Sequence, residues 1–238
     1  MLSIKKFSYS LLGGVCLSSL SLFSAGVSAS GMVPETSVVI VEASEGEASM
    51  NITNTDPQPL LLVTSIKDLP GDTEKLLLVT PPAIRVDGGK TQKVRFILAS
   101  KTPLKTERLR RVTFNGVPPQ NKDKNQVRMS ISQNLPVIIR PAGLARDEAP
   151  WKRLKWELKG DTMTVTNSSP YVVRLAQSVQ TLPDNTHWIL AQSYVLPGEH
   201  LTLTKQGNKS VSGATQVRIS PATTWGFSVD TWDAPLNK

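Results

Sequence analysis

Cysteine is almost absent from this chain: Cys16 is the only one among 238 residues. One thiol can neither close an internal disulfide nor build a cysteine cage for a metal. Histidine is nearly as scarce. His187 and His200 are the only two, and neither stands in a metal-ligand spacing such as HExxH. The material for a zinc centre or a Ser-His-Asp triad is therefore missing. No glycine-rich phosphate loop occurs, and Gly88-Gly89 reads as a hairpin turn. Acid pairs such as Glu45 and Glu47 exist, but a chain with 19 acids offers some by necessity. A glycosidase needs two that the fold brings together. The sequence thus indicates no enzyme, no cofactor and no metal. Dense basic runs with interleaved aromatics are lacking too, which argues against nucleic acid, and Lys122-Asp123-Lys124 reads as a solvated loop. Beyond the first thirty residues no segment approaches the roughly 18 apolar residues of a membrane-spanning helix, so the protein is not expected to be membrane-embedded.

What is present begins with an export signal. Lys5 and Lys6 give a charged start, and an apolar, serine-dotted stretch occupies residues 7–25. Val27-Ser28-Ala29 then supplies small residues for cleavage. Residues 1–29 are read as a signal peptide, with Ser30 the expected mature start. Cys16 leaves with the signal, and Val15 before it is not the small residue that a bacterial lipoprotein signal places there. The exported chain then has no thiol and depends on its apolar cores alone. About 209 residues remain, enough for two domains. Loss of the two lysines lowers the formal charge from +8 to +6. Such a surplus favours acidic partners without naming them.

The rest is rich in short β-type runs and turn residues. Candidate strands in the first half are 38–41, 48–53, 60–66, 76–79, 84–86, 93–99, 109–115 and 127–139. In the second half they are 154–158, 163–166, 171–176, 188–192, 201–204, 216–219 and 227–231. Turn clusters such as Asn54-Thr55-Asp56-Pro57 and Asn167-Ser168-Ser169-Pro170 separate them. This density of strands and turns predicts an all-β protein of two immunoglobulin-like sandwiches. Pro141-Ala142-Gly143 and the polar stretch up to Pro150 mark the boundary, giving domains over 30–140 and 151–238 with a linker at 141–150. All five tryptophans (Trp151, Trp156, Trp188, Trp225 and Trp232) fall in the second half. They read as core and rim anchors, with a sugar-binding platform as the rival.

The segment QVRMSISQNLPVII at 126–139 alternates cleanly. Val127, Met129 and Ile131 share one face of an extended strand, and Arg128, Ser130 and Ser132 share the other. The odd parity resumes at Leu135, Val137 and Ile139. Extended at about 3.3 Å per residue, the segment spans about 45 Å, more than most small sheets use. Part of it is therefore available to something other than its own core.

Four stretches point to one family. The run from Val79-Thr80-Pro81-Pro82 through Arg85 and Gly88-Gly89 to Val94-Arg95 resembles a stretch of the periplasmic pilus-assembly chaperones, the PapD-like family. LKTERLRRVTFNGVPP (104–119) resembles a degraded copy of their signature, VIIRPAGL (137–144) their "LFYRPAAL", and NSSPYVV (167–173) their "NPTPYYV". The pieces occur in family order and cover most of the chain after the signal. The resemblance implies two immunoglobulin-like sandwiches at an angle with a cleft between them. It implies a non-enzymatic periplasmic chaperone that caps pilus subunits by donating a β-strand and delivers them to an outer-membrane usher. The inserting residues fall on Val127, Met129 and Ile131. Glu107 and Arg140 match a pair that meets at the domain junction, and Pro221 occupies the place of its third member, an aspartate.

The family also seats the subunit's terminal carboxylate on two basic residues. Here Ser37 (or Val38, with a one-residue gap) and Pro136 occupy those positions. The anchor is therefore open: hydroxyls and backbone amides, a relocated basic residue such as Arg140, or a subunit lacking the usual terminus. Pro136 lacks a donor and is expected at an edge or bulge. Self-association of the free chain would cover an exposed apolar strand. The rival function is a secreted two-domain binding module or adhesin using the tryptophan-rich half.

Overall fold

Alternation in the first half becomes two facing sheets. The computed structural model describes residues 31–119, 131–208 and 211–237. Its first half runs β1 (Met32–Pro34), β2 (Val39–Glu42), β3 (Glu47–Asn54), β4 (Leu60–Lys67), β5 (Leu77–Thr80), β6 (Ala83–Val86), β7 (Thr91–Leu98), β8 (Arg108–Val117) and β9 (Ser132–Arg140). One sheet is ordered β1-β3-β7-β5 and the other β2-β9-β8-β4-β6. Between them Met50, Ile52, Val94 and Phe96 meet Leu62, Val112, Phe114, Val137 and Ile139, all buried. Phe96 and Phe114 pack edge to face with centroids 6.4 Å apart, the arrangement their ring quadrupoles favour.

Gly88-Gly89 is a turn, but not of a hairpin. The strands it joins belong to different sheets, since β6 pairs with β4 while β7 pairs with β3 and β5. The chain passes so close to the 54–58 loop that a Cβ on Gly88 would lie 2.3 Å from the Pro57 carbonyl oxygen. Only glycine fits there.

The second half begins with a 3-10 turn at Pro150–Arg153. It continues through β10 (Lys155–Lys159), β11 (Thr162–Thr166), β12 (Val173–Leu175), β13 (Ser178–Leu182), β14 (His187–Ile189), β15 (Tyr194–Val195), β16 (His200–Lys205), β17 (Gln216–Ile219), β18 (Pro221–Ala222) and β19 (Trp232–Asn237). Its strands close into a ring, β10-β11-β16-β14-β13-β17-β19, beside a short sheet β15-β12-β18. Trp151, Trp156 and Trp188 fill the core with Met163, Val165 and Val217. Trp225 and Trp232 are exposed, with Arg146 and Lys152 over their rings at 5.4 and 4.7 Å.

Residues 227–231 do not form the expected strand. Phe227 is 71% exposed, and the backbone there turns so that Thr223 N donates to Phe227 O. The strand lies later, in β19, where Ala234 and Leu236 face the core. Pro235 sits inside it without breaking a ladder. Leu236 N donates toward β17, so the missing donor of Pro235 points the other way, where pairing with β10 begins only at Leu236.

A third apolar cluster joins the halves. Val38, Leu69, Leu109 and Ile138 from the first meet Val172 from the second, with Ile40, Tyr194 and Leu196 around them.

Candidate functional site

β9 divides along its length. Directly opposed residues of antiparallel strands share a face, and β8 sets Leu109 against Ile138, Arg110 against Val137 and Arg111 against Pro136. Leu135, Val137 and Ile139 face the sandwich core, whereas Ile138 turns toward the second half. Ile131 shares the inward parity of Leu135 and Val137, yet 40% of its surface is exposed. Its Cβ stands beside Gly31, at 3.8 Å from where a side chain would begin there. Val127 and Met129 lie outside the described residues, as do the signal segment 1–29 and the Lys122-Asp123-Lys124 loop. Pro136 is buried in β9. Parallel pairing with β2 starts one residue later, at Val39 opposite Val137, so no β2 residue stands opposite Pro136 in that ladder.

At the junction end of β9, Glu107 and Arg140 are each 3% exposed in their side chains, with Arg140 Nε 3.2 Å from Glu107 Oε1. The other carboxylate oxygen, Oε2, accepts the backbone N–H of Val172 at 2.8 Å. The backbone N–H of Glu107 donates to Pro170 O, also at 2.8 Å. Val172 is aimed by Asn167. That buried amide donates to Tyr171 O and Val195 O and accepts from Ser169, folding the 167–171 turn. Arg140 finds its second carboxylate in Glu42, Nη1 to Oε1 at 3.1 Å, a partner from the first half rather than from the neighbourhood of Pro221. Burial pushes the Glu107 carboxyl above its usual range. The Val172 N–H and Arg140 pull it back without cancelling that rise.

Two arrangements escaped the sequence reading. In the first, Arg110, fully buried, and Arg108 grip Asp72. Arg110 makes two bonds of 2.7 and 2.8 Å to its carboxylate, and Arg108 Nη2 reaches it at 2.6 Å. This clamps the loop after β4 onto β8 and sets Leu69 into the junction cluster. In the second, Arg111 and Arg174, one from each half, pair with no acid among the described residues, and burial, then the charge of Arg111, lowers the pKa of Arg174. Arg111 bonds only Asn134 among the described residues, through the amide oxygen at 2.9 Å and the carbonyl at 2.8 Å. Arg174 Nη1 is buried with no partner. Among the described residues no group of three or more His, Cys, Asp or Glu is placed to hold a metal. His187 and His200 open β14 and β16 on the surface.

Comparison with known proteins agrees with this architecture. The family model for the pili and flagellar-assembly chaperone PapD N-terminal domain matches residues 31–145. The model for the pili assembly chaperone PapD C-terminal domain matches 149–232. The uncharacterised fimbrial chaperone YhcA of Escherichia coli K12 is 43% identical over 200 residues, covering 84% of this chain and 88% of its own. Among solved structures, the Salmonella enterica SafA pilin–SafB chaperone complex matches with TM-score 0.72 and 22% identity, over 88% of this chain and 98% of that one. The Escherichia coli chaperone DraB matches with TM-score 0.71 and 17% identity, over 87% and 99%.

Proposed function

Because this chain belongs to the PapD-like family of pilus-assembly chaperones, periplasmic proteins that assemble fimbriae without catalysing a reaction, we propose that it holds pilus subunits by lending them a strand. Val127, Met129 and Ile131 are the lent residues. The observation that carries this reading is the exposure of Ile131 on the inward parity of β9. Ile131 lies just before β9, on the parity of Leu135, Val137 and Ile139, which pack in or against the sandwich core. A partner lacking one strand would pair with that backbone and take the alternate side chains into its pockets. Each buried side chain contributes roughly 1.5–3 kcal/mol of gross hydrophobic free energy. Three of them plus a ladder hold a subunit while leaving it exchangeable. Delivery to an outer-membrane usher follows from the same logic, since a better-packed strand from the next subunit displaces this one without a nucleotide.

Residues 1–29 serve as the cleaved export signal in this reading, and the two domains span 30–140 and 151–238. The free chain covers its strand by self-association. Glu107 and Arg140 act as the junction pair. The test is capture of a subunit lacking its final strand by purified chaperone. Met129→Asp and Ile131→Asp together should abolish capture and leave the melting temperature unchanged. Capture that survives both changes removes strand donation as the mechanism.

A further inference from the structure

At the junction, two acids share one buried base. Arg140 closes β9 and Glu107 stands just before β8, and each side chain is 3% exposed. Glu42, at the end of β2, is 29% exposed. Arg140 Nη1 donates to Glu42 Oε1 at 3.1 Å. Its Nε lies 3.2 Å from Glu107 Oε1 but makes no well-aligned hydrogen bond. The better bond therefore goes to the more exposed acid, and Glu107 keeps the poorer one. An ionised carboxyl buried in that position is costly. Glu42 also takes Arg146 Nη2 at 3.3 Å, so the two acids do not compete for Arg140 alone.

Glu107 is also the acid that reaches the second half. Its Oε2 accepts the Val172 N–H, and its own backbone N–H donates to Pro170 O, both at 2.8 Å. A neutral carboxyl still has an oxygen that accepts a hydrogen bond, so these contacts survive protonation. Beside Glu107 and Arg140 lies a cavity of about 260 Å³, walled further by Glu148, Thr223 and Trp225. That is far more room than a water needs. Glu148 and Trp225 are exposed, so the cavity opens to solvent at the junction.

Each element packed here brings its own charged groups. β9 supplies Arg140 and β2 supplies Glu42. The connecting segment supplies Arg146, Asp147 and Glu148. Burial acts to raise the Asp147 carboxyl, but Arg153 and the Ala149 N–H hold it below the usual range. The turn at 167–172 brings Tyr171, whose hydroxyl donates to Ala145 O. Thr223, Thr224 and Trp225 add no titratable group. Arg108, next in the chain, is turned to Asp72 and Glu74. Burial pushes Glu107 above 4.5, the Val172 N–H and Arg140 pull it back only in part, and the charge of Glu42 adds to the rise.

We propose that Glu107 is a proton-operated clasp between the two halves. With its proton on, the carboxyl is neutral and the junction stays closed. As the surroundings turn from acid to neutral, the proton leaves through the cavity to solvent. The carboxylate left behind draws water in, and the junction loosens. Arg140 does not prevent this, because Glu42 holds the better-placed bond to it. The sign follows from linkage. A carboxyl whose value is raised on folding favours the closed form on the acid side, and that contribution fades as pH climbs through the raised value. The clasp makes the coupling of the halves respond to acidity, and it does not depend on strand lending.

The test uses the full mature chain. The carbon-13 signal of the Glu107 carboxyl, assigned through its own backbone, should titrate above 4.5. Residues 30–238 contain no cysteine. Lys93→Cys and Thr202→Cys, both at exposed positions, therefore place one spin label on each half. The distance between the labels should be narrowly distributed near about pH 4.5 and should broaden toward about pH 7. E107Q, whose amide oxygen still accepts from Val172, should stay narrow at both ends. E42Q should move the Glu107 titration toward acid, because it frees Arg140 and removes a neighbouring negative charge. A wild-type Glu107 carboxyl that titrates at or below 4.5 overturns the clasp, and that result needs no variant to fold. So do label distances that ignore pH in the wild type, or that broaden equally in E107Q. An unmoved titration in E42Q also overturns it, since the shared base then does not govern the proton.

Discussion

Asp72 and Glu107 are both acids set against arginines, yet their protons are pushed in opposite directions. Burial acts to raise the Asp72 carboxyl, but the guanidiniums of Arg110 and Arg108 outweigh it and bring the pKa from 3.8 to about 2. The folded value lies below the free one, so the stabilisation is complete above about pH 4 and is lost as pH falls toward 2. With 25% of its side chain exposed, solvent screening leaves this contribution at about 1–2 kcal/mol. Asp72→Asn should flatten the acid limb of the stability profile between those pH values. At neutral pH it should cost roughly 2–4 kcal/mol in urea melts, because buried Arg110 then keeps Asp68 as its one acid beside the carbonyls of Leu109 and Glu74. Glu107 has the opposite sign. Its folded pKa is raised, so its contribution favours the fold on the acid side and is lost as pH rises through the folded value. Glu107 and Arg140 were singled out in the sequence because each sits in a local motif of family type. Asp72 and Arg110 were not: they are 38 residues apart, and a run such as Arg108-Leu109-Arg110-Arg111 reads as surface charge until the fold buries one member.

Exposure separates Ile139 of β9 from Ile131, which precedes the strand on the same parity. Ile139 is fully buried and Ile131 is 40% exposed. Ile139→Ala should cost about 2–5 kcal/mol in denaturant melts, whereas Ile131→Ala should stay within about 0.5 kcal/mol of the wild type. A large loss at Ile131 would mean that the chain itself uses that side chain as core. The inner residues of β9 could be read from alternation alone, since Leu135, Val137 and Ile139 all belong to or pack against the first core. Ile138 could not, because alternation assigns it to solvent and a second domain covers it instead. The same rule misled at residues 227–231, where Phe227 and Val229 alternate like a strand and remain exposed. It also passed over β19, whose Pro235 reads as a breaker until the one-sided pairing is known. β13 was missed for a third reason: Ser178, Gln180 and Thr181 give it a polar look, although Val179 and Thr181 are buried.

Across the whole molecule, each half has its own core, and the halves meet through the cluster of Val38, Leu69, Leu109, Ile138 and Val172 and through Glu107. Leu109→Ala with Ile138→Ala should weaken that contact without opening either core. Calorimetry should then resolve two melting transitions in place of one. A single transition at an unchanged temperature would show that the cluster does not couple the halves. The all-β, two-domain fold was legible from strand density and turn spacing. The charge of Arg111 acting on Arg174 was not, because it depends on how the two halves meet, which no local pattern encodes. The central claim is that residues 127–131 serve a partner while β9 serves the chain. Hydrogen exchange of the chaperone with and without a bound pilus subunit measures this directly. Backbone amides at 127–131 should gain protection on binding, while those at 137–139 stay equally protected in both states. No gain at 127–131 in a complex that has formed would contradict the account.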